Sequence, residues 1–227
     1  MNLRSKIFNN KKKIPLNSFI NKSLYDLKYG FYMKKNPIGI KGDFITSPNI
    51  SILFSEMIAI WCISFWKQMG SPKKINILEI GPGDGSLSLG LINTFSKFKK
   101  FNNSYTLNLL EKSKHLIKVQ KKKLIFNKIK WISNISNLND EPVIIIANEF
   151  FDTLPIKQYI YKNEKWFERY VEIDTKNKIK FLDIPTKLPN FKKICKIDIA
   201  KNQKFIEFSL PAVNYIKNIS NLIKKNN

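Results

Sequence analysis

The chain has 227 residues, of which 43% are hydrophobic, so it is long enough to bury one substantial core. No apolar run approaches the roughly 20 residues that a membrane-spanning helix needs, which argues against a transmembrane span. The formal charge of +23 would suit a nucleic-acid partner. However, the lysines are spread from Lys6 to Lys225 instead of clustering, which favours a generally basic surface without a stable nucleic-acid complex.

The cysteines and the histidine do not predict a metal centre or a nucleophilic site. Cys62 and Cys195 form no CxxC pair, and His115 is the only histidine. Two unpaired thiols suit a reducing compartment, which is the cytoplasm for a bacterial protein. Residues 1–13 are basic and rich in Lys and Asn, without the apolar stretch of a secretory signal. We therefore expect a disordered tail there.

Residues 14–72 are predicted to form an N-terminal helical and lid segment. A short helix opens at Ile14, and a polar loop follows over Pro37–Pro48. Apolar residues then recur close to helical spacing from about Ile50 to Met69, which predicts a longer helix. Gly70, Ser71 and Pro72 end it.

From residue 73 to 155, predicted strands alternate with predicted helices. The strands are Ile75–Ile80, Tyr105–Leu110, Ile129–Ile132 and Val143–Ala147, and the helices between them include Leu87–Phe95 and Lys114–Leu124. This alternation predicts an α/β fold with a Rossmann-like, doubly wound parallel sheet.

After Pro155 the pattern changes. Apolar and polar residues alternate in Ile156–Tyr161 and Trp166–Ile173, which predicts an inserted β-hairpin within an antiparallel region over 156–209. Residues 210–227 are predicted to form an amphipathic helix, Leu210–Ile223, with a basic tail.

A glycine-rich loop, Glu79-Ile80-Gly81-Pro82-Gly83-Asp84-Gly85, closes the first strand of the parallel sheet. Gly81, Gly83 and Gly85 permit a ligand to approach the backbone closely at the carboxyl end of the strand. The acids Glu79 and Asp84 disfavour a pyrophosphate there. S-adenosylmethionine has no phosphate, and its sulfonium and ammonium groups complement nearby carboxylates. Glu111, which ends the next strand, is placed to accept hydrogen bonds from both ribose hydroxyls, so the pattern favours S-adenosylmethionine.

The fourth strand ends in Asn148-Glu149-Phe150-Phe151-Asp152, at the edge where the transferred group would lie. Asn148 would hold a nucleophilic nitrogen through its side-chain or backbone oxygen. Glu149 and Asp152 would bind a cationic acceptor and receive its proton. The alternative is that one of these acids caps the following turn and that the phenylalanines belong to the core.

Taken in order, these motifs resemble the MidA-like methyltransferases, a family that includes the mitochondrial complex I assembly methyltransferase. The resemblance runs from about Ile14 to Leu222. The segments that carry it are Ser23–Asp26, Tyr29–Tyr32, Gly42–Pro48, Glu79–Gly85, Leu110–Ser113 with Gln120, Asn148–Pro155 and Trp166–Arg169. The segment Asn148–Pro155 is far more specific than the glycine loop.

The resemblance implies a class I methyltransferase fold that binds S-adenosyl-L-methionine and methylates an arginine nitrogen of a protein. For the mitochondrial members the substrate is a subunit of respiratory complex I. By the same resemblance, Gly42, Asp43 and Thr46 would fold over the cofactor as part of a lid. A eukaryotic source would imply the mitochondrial matrix.

The chain departs from the family pattern at Asp84, usually basic, at Asn49, usually Glu, and at Ser55, usually Gly. The family also continues past the C-terminal helix into a further strand, so we expect a truncated member whose sheet is incomplete on that side. An alternative function is therefore an assembly or interaction protein that binds the cofactor with little or no turnover. A nucleic-acid methyltransferase is less favoured, because the tetrapeptide at Asn148 is not the Asn-Pro-Pro-aromatic arrangement usual for such enzymes.

Overall fold

The computed structural model describes residues 3–9, 11–34, 42–44, 46–125, 128–176 and 178–226. The elements before the predicted parallel sheet are α1 (Leu3–Phe8), β1 (Lys13–Pro15), α2 (Leu16–Tyr25), α3 (Phe31–Lys34), α4 (Ser47–Ile50) and α5 (Ile52–Gln68). Those that follow are β2 (Ile75–Ile80), α6 (Ser86–Phe95), α7 (Lys99–Ser104), β3 (Tyr105–Leu110), α8 (Lys114–Lys123), β4 (Ile129–Ile132) and β5 (Val143–Ile146). The last are β6 (Lys157–Lys162), β7 (Lys165–Ile173), β8 (Ile179–Pro185), α9 (Phe191–Cys195), β9 (Phe205–Phe208) and α10 (Leu210–Asn226).

The backbone divides into two compact units. One contains the described residues of Met1–Phe31 and Thr153–Ile216, and the other contains those of Tyr32–Asp152 and Lys217–Asn227. We call them the antiparallel unit and the parallel unit, after their sheets.

The sheet of the parallel unit has the strand order β4-β3-β2-β5, and each pair is parallel. The chain moves outward from β2 to β3 and β4, then returns to the other side of β2 to form β5. The strand order therefore reverses between β2 and β5, which is where open α/β sheets bind ligands. The predicted α/β fold with a parallel sheet is confirmed, and β2, β3 and β4 have the predicted bounds.

The core of the parallel unit lies between this sheet and the helices α5 and α6. Every residue of β2 is buried, as expected for an inner strand of a parallel sheet covered by helices. The rings of Trp66, Phe95, Phe101 and Tyr105 pack together, with centroids 4.7 Å apart for Phe95 and Phe101. This core fixes β2, and with it the position of the loop that follows β2.

The helices α5 and α6 approach each other closely where Ser55 lies over Gly90. A Cβ on Gly90 would lie 2.3 Å from the Cβ of Ser55, a distance that real side chains do not tolerate. Ser55 stands where the sequence resemblance leads us to expect glycine. In this chain the contact has room for one Cβ, and that Cβ belongs to Ser55 of α5.

The antiparallel unit is built around β7. This strand pairs with β6, β8 and β1, and β6 also pairs with β9. The β6–β7 hairpin confirms the predicted inserted hairpin, and its turn is Asn163-Glu164, both in the left-handed region. Part of the core is formed by Val171 of β7 with residues of the N-terminal segment.

The N-terminal segment differs from the sequence-based expectation. Residues 3–8 form a helix, not a disordered tail, because Ile7 and Phe8 are buried against Ile14 and Leu16. Strand β1 pairs with β7, with Ile14 opposite Val171. Residues 14–31 therefore belong with the antiparallel sheet instead of forming one segment with residues up to 72.

The C-terminal helix is longer than its apolar pattern suggests. It runs from Leu210 to Asn226 and includes the basic residues Lys224 and Lys225. Lys225 forms an ion pair with Asp140, with the charged atoms 2.5 Å apart. Among the described residues, no helix is long and apolar enough to cross a lipid bilayer.

The contact between Ser55 and Gly90 gives a test of the helix packing. Gly90→Ala alone is expected to lower the free energy of unfolding by about 1–3 kcal/mol, because the new methyl group overpacks the interface. Ser55→Gly alone is expected to cost about 0.5 kcal/mol, because glycine has a lower helix propensity than serine. The double variant moves the Cβ to the other helix and is expected to recover most of the loss. Urea denaturation measures all three, and strictly additive effects would contradict this packing.

Candidate functional site

The glycine loop lies at the carboxyl end of β2, between the ends of β3 and β5. Its three glycines have left-handed backbones, with φ of 68° at Gly81, 56° at Gly83 and 80° at Gly85. Residues with a Cβ rarely adopt these angles, so the loop needs glycine at each position. The amide of Gly81 donates to the carbonyl of Leu110 at 3.0 Å, which joins the start of the loop to the end of β3.

Phe150, in the motif after β5, packs directly on the start of this loop. A Cβ on Gly81 would lie 2.8 Å from Cδ2 of Phe150, so the ring occupies the space that any side chain at Gly81 would need. The ring also contacts Phe151 edge-on, with centroids 5.3 Å apart. Phe150 thus brings the residues around it, including the predicted site residues Asn148 and Glu149, to the same edge of the sheet as the glycine loop.

The other side of the loop is held by one face of α8. Gln120 and Lys123 of α8 and Leu124, the C-cap of that helix, contact three consecutive loop residues. Gln120 Nε2 donates to the carbonyl of Gly83 at 2.7 Å, and Lys123 Nζ lies 2.7 Å from Asp84 Oδ2. A Cβ on Gly85 would come within 3.3 Å of Leu124 Cδ1.

Asp84 immediately precedes Gly85, the N-cap of α6, and its side chain binds the first residue of that helix. Its Oδ1 accepts from the backbone N–H of Ser86, at the first turn of α6, at 3.0 Å. Its Oδ2 is paired with Lys123 and lies 2.8 Å from Ser86 Oγ. The carboxylate occupies the position at a helix N-terminus that a phosphate would take in a nucleotide-binding loop. The site is therefore better suited to a ligand without phosphate.

Glu79, on β2 itself, is almost completely buried. One of its carboxylate oxygens accepts a hydrogen bond from Ser88 Oγ of α6, and Ser88 is buried as well. Burial raises the pKa of Glu79 to about 7, because a charge is poorly solvated there, although the bond from Ser88 opposes this. Asp84 and Glu111 raise the pKa further through charge repulsion.

Glu111 directly follows β3 and is half-buried. Its Oε1 accepts from the backbone N–H of Ser113 at 2.8 Å, and its Oε2 lies 3.4 Å from Gln120 Nε2. Burial raises the pKa of Glu111, whereas these hydrogen bonds oppose the shift. Each carboxylate oxygen can accept more than one hydrogen bond, so both retain capacity for ligand hydroxyls.

The predicted acceptor residues lie at the end of β5. Asn148 is half-buried, and Glu149 is exposed with a left-handed φ of 49°. Asp152 is exposed on a 3₁₀ turn, Phe151–Thr153. A left-handed backbone at a residue other than glycine costs about 1–2 kcal/mol, and such residues cluster at functional sites.

Of the three predicted lid residues, Thr46 is connected through Asn49 to Ser86, the first residue of α6 after the glycine loop. Its Oγ1 accepts from Asn49 Nδ2 at 3.0 Å, and Asn49 Oδ1 lies 3.0 Å from Ser86 Oγ. Gly42 is half-buried and Asp43 is exposed, and both lie in a bend. Their closure over a ligand stays a prediction.

Sequence reasoning missed four residues of this site. The sequence pattern identifies Phe150 only as a core residue and Gln120 only as part of the family resemblance, and it does not single out Lys123 or Ser88. The spacing of Gln120, Lys123 and Leu124 on α8 was the available signal for one face of a helix, although it does not show what that face contacts. Within the described ranges, no three His, Cys, Asp or Glu side chains are arranged to hold a metal ion.

The buried carboxyl of Glu79 makes stability depend on pH. Its pKa rises from 4.5 in an exposed carboxyl to about 7 in the folded chain. Between these values the unfolded chain releases a proton that the folded chain keeps, so this group lowers the free energy of unfolding as pH rises. Glu79→Gln cannot titrate and keeps an oxygen for Ser88. The stability of this variant relative to the parent is therefore expected to increase by about 3 kcal/mol between pH 4.5 and pH 7.

Urea denaturation at a series of pH values measures this change. Glu164→Gln, which removes a carboxylate from the exposed hairpin turn, is the matched control. A Glu79→Gln effect that stays constant across the whole pH range would show that Glu79 does not titrate differently in the folded chain.

Comparison with solved structures identifies the same fold. A crystal structure of a COG1565 superfamily member from Burkholderia thailandensis, bound to S-adenosyl-homocysteine, has a TM-score of 0.74 and 22% identity, covering 96% of this chain and 57% of that one. A native COG1565 superfamily structure from the same organism has a TM-score of 0.71 and 21% identity, covering 96% and 56%.

Curated relatives are similar in sequence. The mitochondrial "Protein arginine methyltransferase NDUFAF7 homolog" of Drosophila melanogaster is 29% identical over 193 residues, which is 75% of this chain and 44% of that protein. The mitochondrial "Protein arginine methyltransferase NDUFAF7" of Xenopus laevis is 31% identical over 195 residues, covering 74% and 45%. The chain thus spans less than half the length of these relatives.

The family model described as "Putative S-adenosyl-L-methionine-dependent methyltransferase" matches residues 57–226, well over half of the chain. This range contains the glycine loop, Glu111, the α8 face and the motif after β5. The chain therefore belongs to this family of S-adenosyl-L-methionine-dependent methyltransferases.

Proposed function

We propose that the chain transfers a methyl group from S-adenosyl-L-methionine to an arginine nitrogen of a protein substrate. The observation that carries this proposal is the position of the glycine loop. It lies where the strand order reverses, with Glu111 on one side and the motif of Asn148 and Glu149 on the other. This arrangement provides a cofactor side and an acceptor side at one edge of the sheet.

The residues on the cofactor side fit S-adenosyl-L-methionine. Glu111 is held by Ser113 and has lone pairs left for ribose hydroxyls. The left-handed glycines permit close approach to the loop backbone, and Asp84 already fills the helix N-terminus that a phosphate would need. The buried Glu79 and the half-buried Glu111 both lie next to the loop, and their ionised forms would be stabilised by a ligand with cationic groups.

The residues on the acceptor side suit a cationic nitrogen nucleophile. When bound, S-adenosyl-L-methionine supplies an electrophilic methyl group on a sulfonium. Asn148 would orient the guanidinium through its side-chain or backbone oxygen, and Glu149 and Asp152 would bind it electrostatically. One of these carboxylates would accept the proton that the guanidinium loses.

The names of the curated relatives support the choice of arginine and a protein substrate. The same names place those relatives in mitochondria. For this chain, we propose a respiratory-complex subunit as the substrate class, and the cytoplasm of a bacterium or the matrix of a mitochondrion as the location.

Gly83→Val is expected to abolish binding of S-adenosyl-L-methionine. A branched side chain is strained at a φ of 56° and would occupy the place where the ligand approaches the loop. Gly70→Ala is the matched control, because Gly70 is also left-handed but has nothing within 4 Å of its Cβ position. Isothermal titration calorimetry measures both variants. Normal affinity in Gly83→Val would contradict the assignment of the loop.

The acceptor residues are expected to affect transfer without affecting cofactor affinity. Glu149→Gln and Asp152→Asn keep the side-chain shape but lose the charge that binds a guanidinium, and each is expected to lower the transfer rate by roughly tenfold or more. Transfer of a tritiated methyl group into the proteins of a cell lysate measures the rate, and acid hydrolysis shows whether the label is in methylarginine. Label in another amino acid would overturn the choice of arginine.

A second candidate is an interaction protein that binds the cofactor without turnover. It is favoured by an apolar stripe on α5, where Met57, Trp61 and Phe65 share one helix face and are 57%, 63% and 50% exposed. Large apolar side chains in this arrangement are typical of interaction surfaces. Tight cofactor binding without any methyl transfer in the same assay would select this candidate.

A further inference from the structure

Gln120 of α8 is completely buried, with none of its surface exposed. A buried amide is costly unless its oxygen and nitrogen form hydrogen bonds. The proposed reaction does not use this side chain. The presence of this amide in the core therefore needs another explanation.

The amide of Gln120 connects three separate elements. Trp131 Nε1, on β4, donates to Gln120 Oε1 at 2.9 Å. Because an indole N–H can only donate, the amide oxygen must face Trp131 and the amide nitrogen must face the other way. On that side, Nε2 donates to the carbonyl of Gly83 at 2.7 Å and lies 3.4 Å from Glu111 Oε2.

We propose that Gln120 is a positioning residue. Its side chain fixes the carboxylate of Glu111 relative to the glycine loop, so that Glu111 can bind the ribose hydroxyls. This inference rests on the proposed binding of S-adenosyl-L-methionine. The backbone of Ser113 holds one oxygen of Glu111, and Gln120 holds the other. The same NH₂ group fixes the carbonyl of Gly83, so the two parts of the cofactor site share one anchor.

No other side chain of this size meets all three requirements. Glutamate would accept from Trp131, but when ionised it has no proton for Gly83 and would repel Glu111. Methionine fills a similar volume but leaves the carbonyl of Gly83 and the indole N–H of Trp131 unpaired. The amide alone combines an acceptor on one side with two donors on the other.

The test compares two ligands in calorimetry, S-adenosylhomocysteine and its analogue lacking both ribose hydroxyls. The ratio of their dissociation constants measures how strongly Glu111 binds the two ribose hydroxyls. In the parent chain the ratio is expected to be roughly tenfold or more, as hydrogen bonds to a charged group require. In Gln120→Met the ratio is expected to fall toward one, because Glu111 is no longer oriented.

If Gln120 had only a structural role, its substitution would weaken the binding of both ligands by the same factor and leave the ratio unchanged. Gln120→Glu is the second variant, expected to lower the ratio in the same way. Trp131→Phe changes a half-buried residue outside the loop and keeps the amide donors, so it is expected to fold and to give an intermediate ratio. Gln68→Met, an exposed glutamine on α5, is the matched control and should keep the parent ratio.

The two proposals fail separately. If the parent chain does not bind S-adenosylhomocysteine, the proposed function is overturned. If the parent binds it with a large ratio, and the folded Gln120 and Trp131 variants keep that ratio, only the role of Gln120 is overturned.

Discussion

The glycine loop after β2 has a left-handed backbone at Gly81, Gly83 and Gly85, and the packing around the cofactor site follows from this conformation. Three residues with φ between 56° and 80° turn the chain sharply from β2 into α6. The absence of side chains at these positions lets Phe150 pack on Gly81 and α8 pack on Gly85. The same glycines that permit a ligand to approach therefore also permit the sheet edge to close around the loop. A loop with side chains would lose both properties together.

Three carboxyl groups, those of Glu79, Asp84 and Glu111, lie close to the glycine loop and determine which ligand charges the site favours. Burial raises the pKa of both Glu79 and Glu111, and charge repulsion from Asp84 and Glu111 raises the pKa of Glu79 further. An ionised carboxylate at either position is therefore unfavourable unless a positive group or a hydrogen-bond donor stabilises it. Lys123 pairs with Asp84 but with neither of the other two acids among the contacts described. A ligand that brings positive groups and hydroxyls would relieve this strain, which is a physical reason to favour S-adenosyl-L-methionine over a nucleotide phosphate.

Asp84 and Asn49, where the sequence resemblance leads us to expect a basic residue and a glutamate, share one set of contacts. Ser86 Oγ lies 2.8 Å from Asp84 Oδ2 and 3.0 Å from Asn49 Oδ1. The same hydroxyl accepts a hydrogen bond from Lys123 Nζ at 2.8 Å. The acid at position 84 therefore has a local basic partner on α8 and a neutral neighbour at position 49. Ser55, the third departure, is matched by Gly90 on the facing helix. In each case the unusual residue is accommodated by a nearby residue that is distant in sequence.

The strands of the parallel sheet, the hairpin, and the placement of Glu79, Glu111 and the motif after β5 at strand ends are predictable from the amino-acid sequence. These follow from local periodicity and from residues that are adjacent in the chain. The helix of residues 3–8, the pairing of β1 with β7 and the link that Gln120 makes between the glycine loop and Glu111 depend on long-range packing. Burial of Phe8 and the hydrogen bonds of Gln120 depend on partners many residues away. A local pattern cannot specify such contacts, because it encodes which face of a helix is apolar or polar but not what that face will meet.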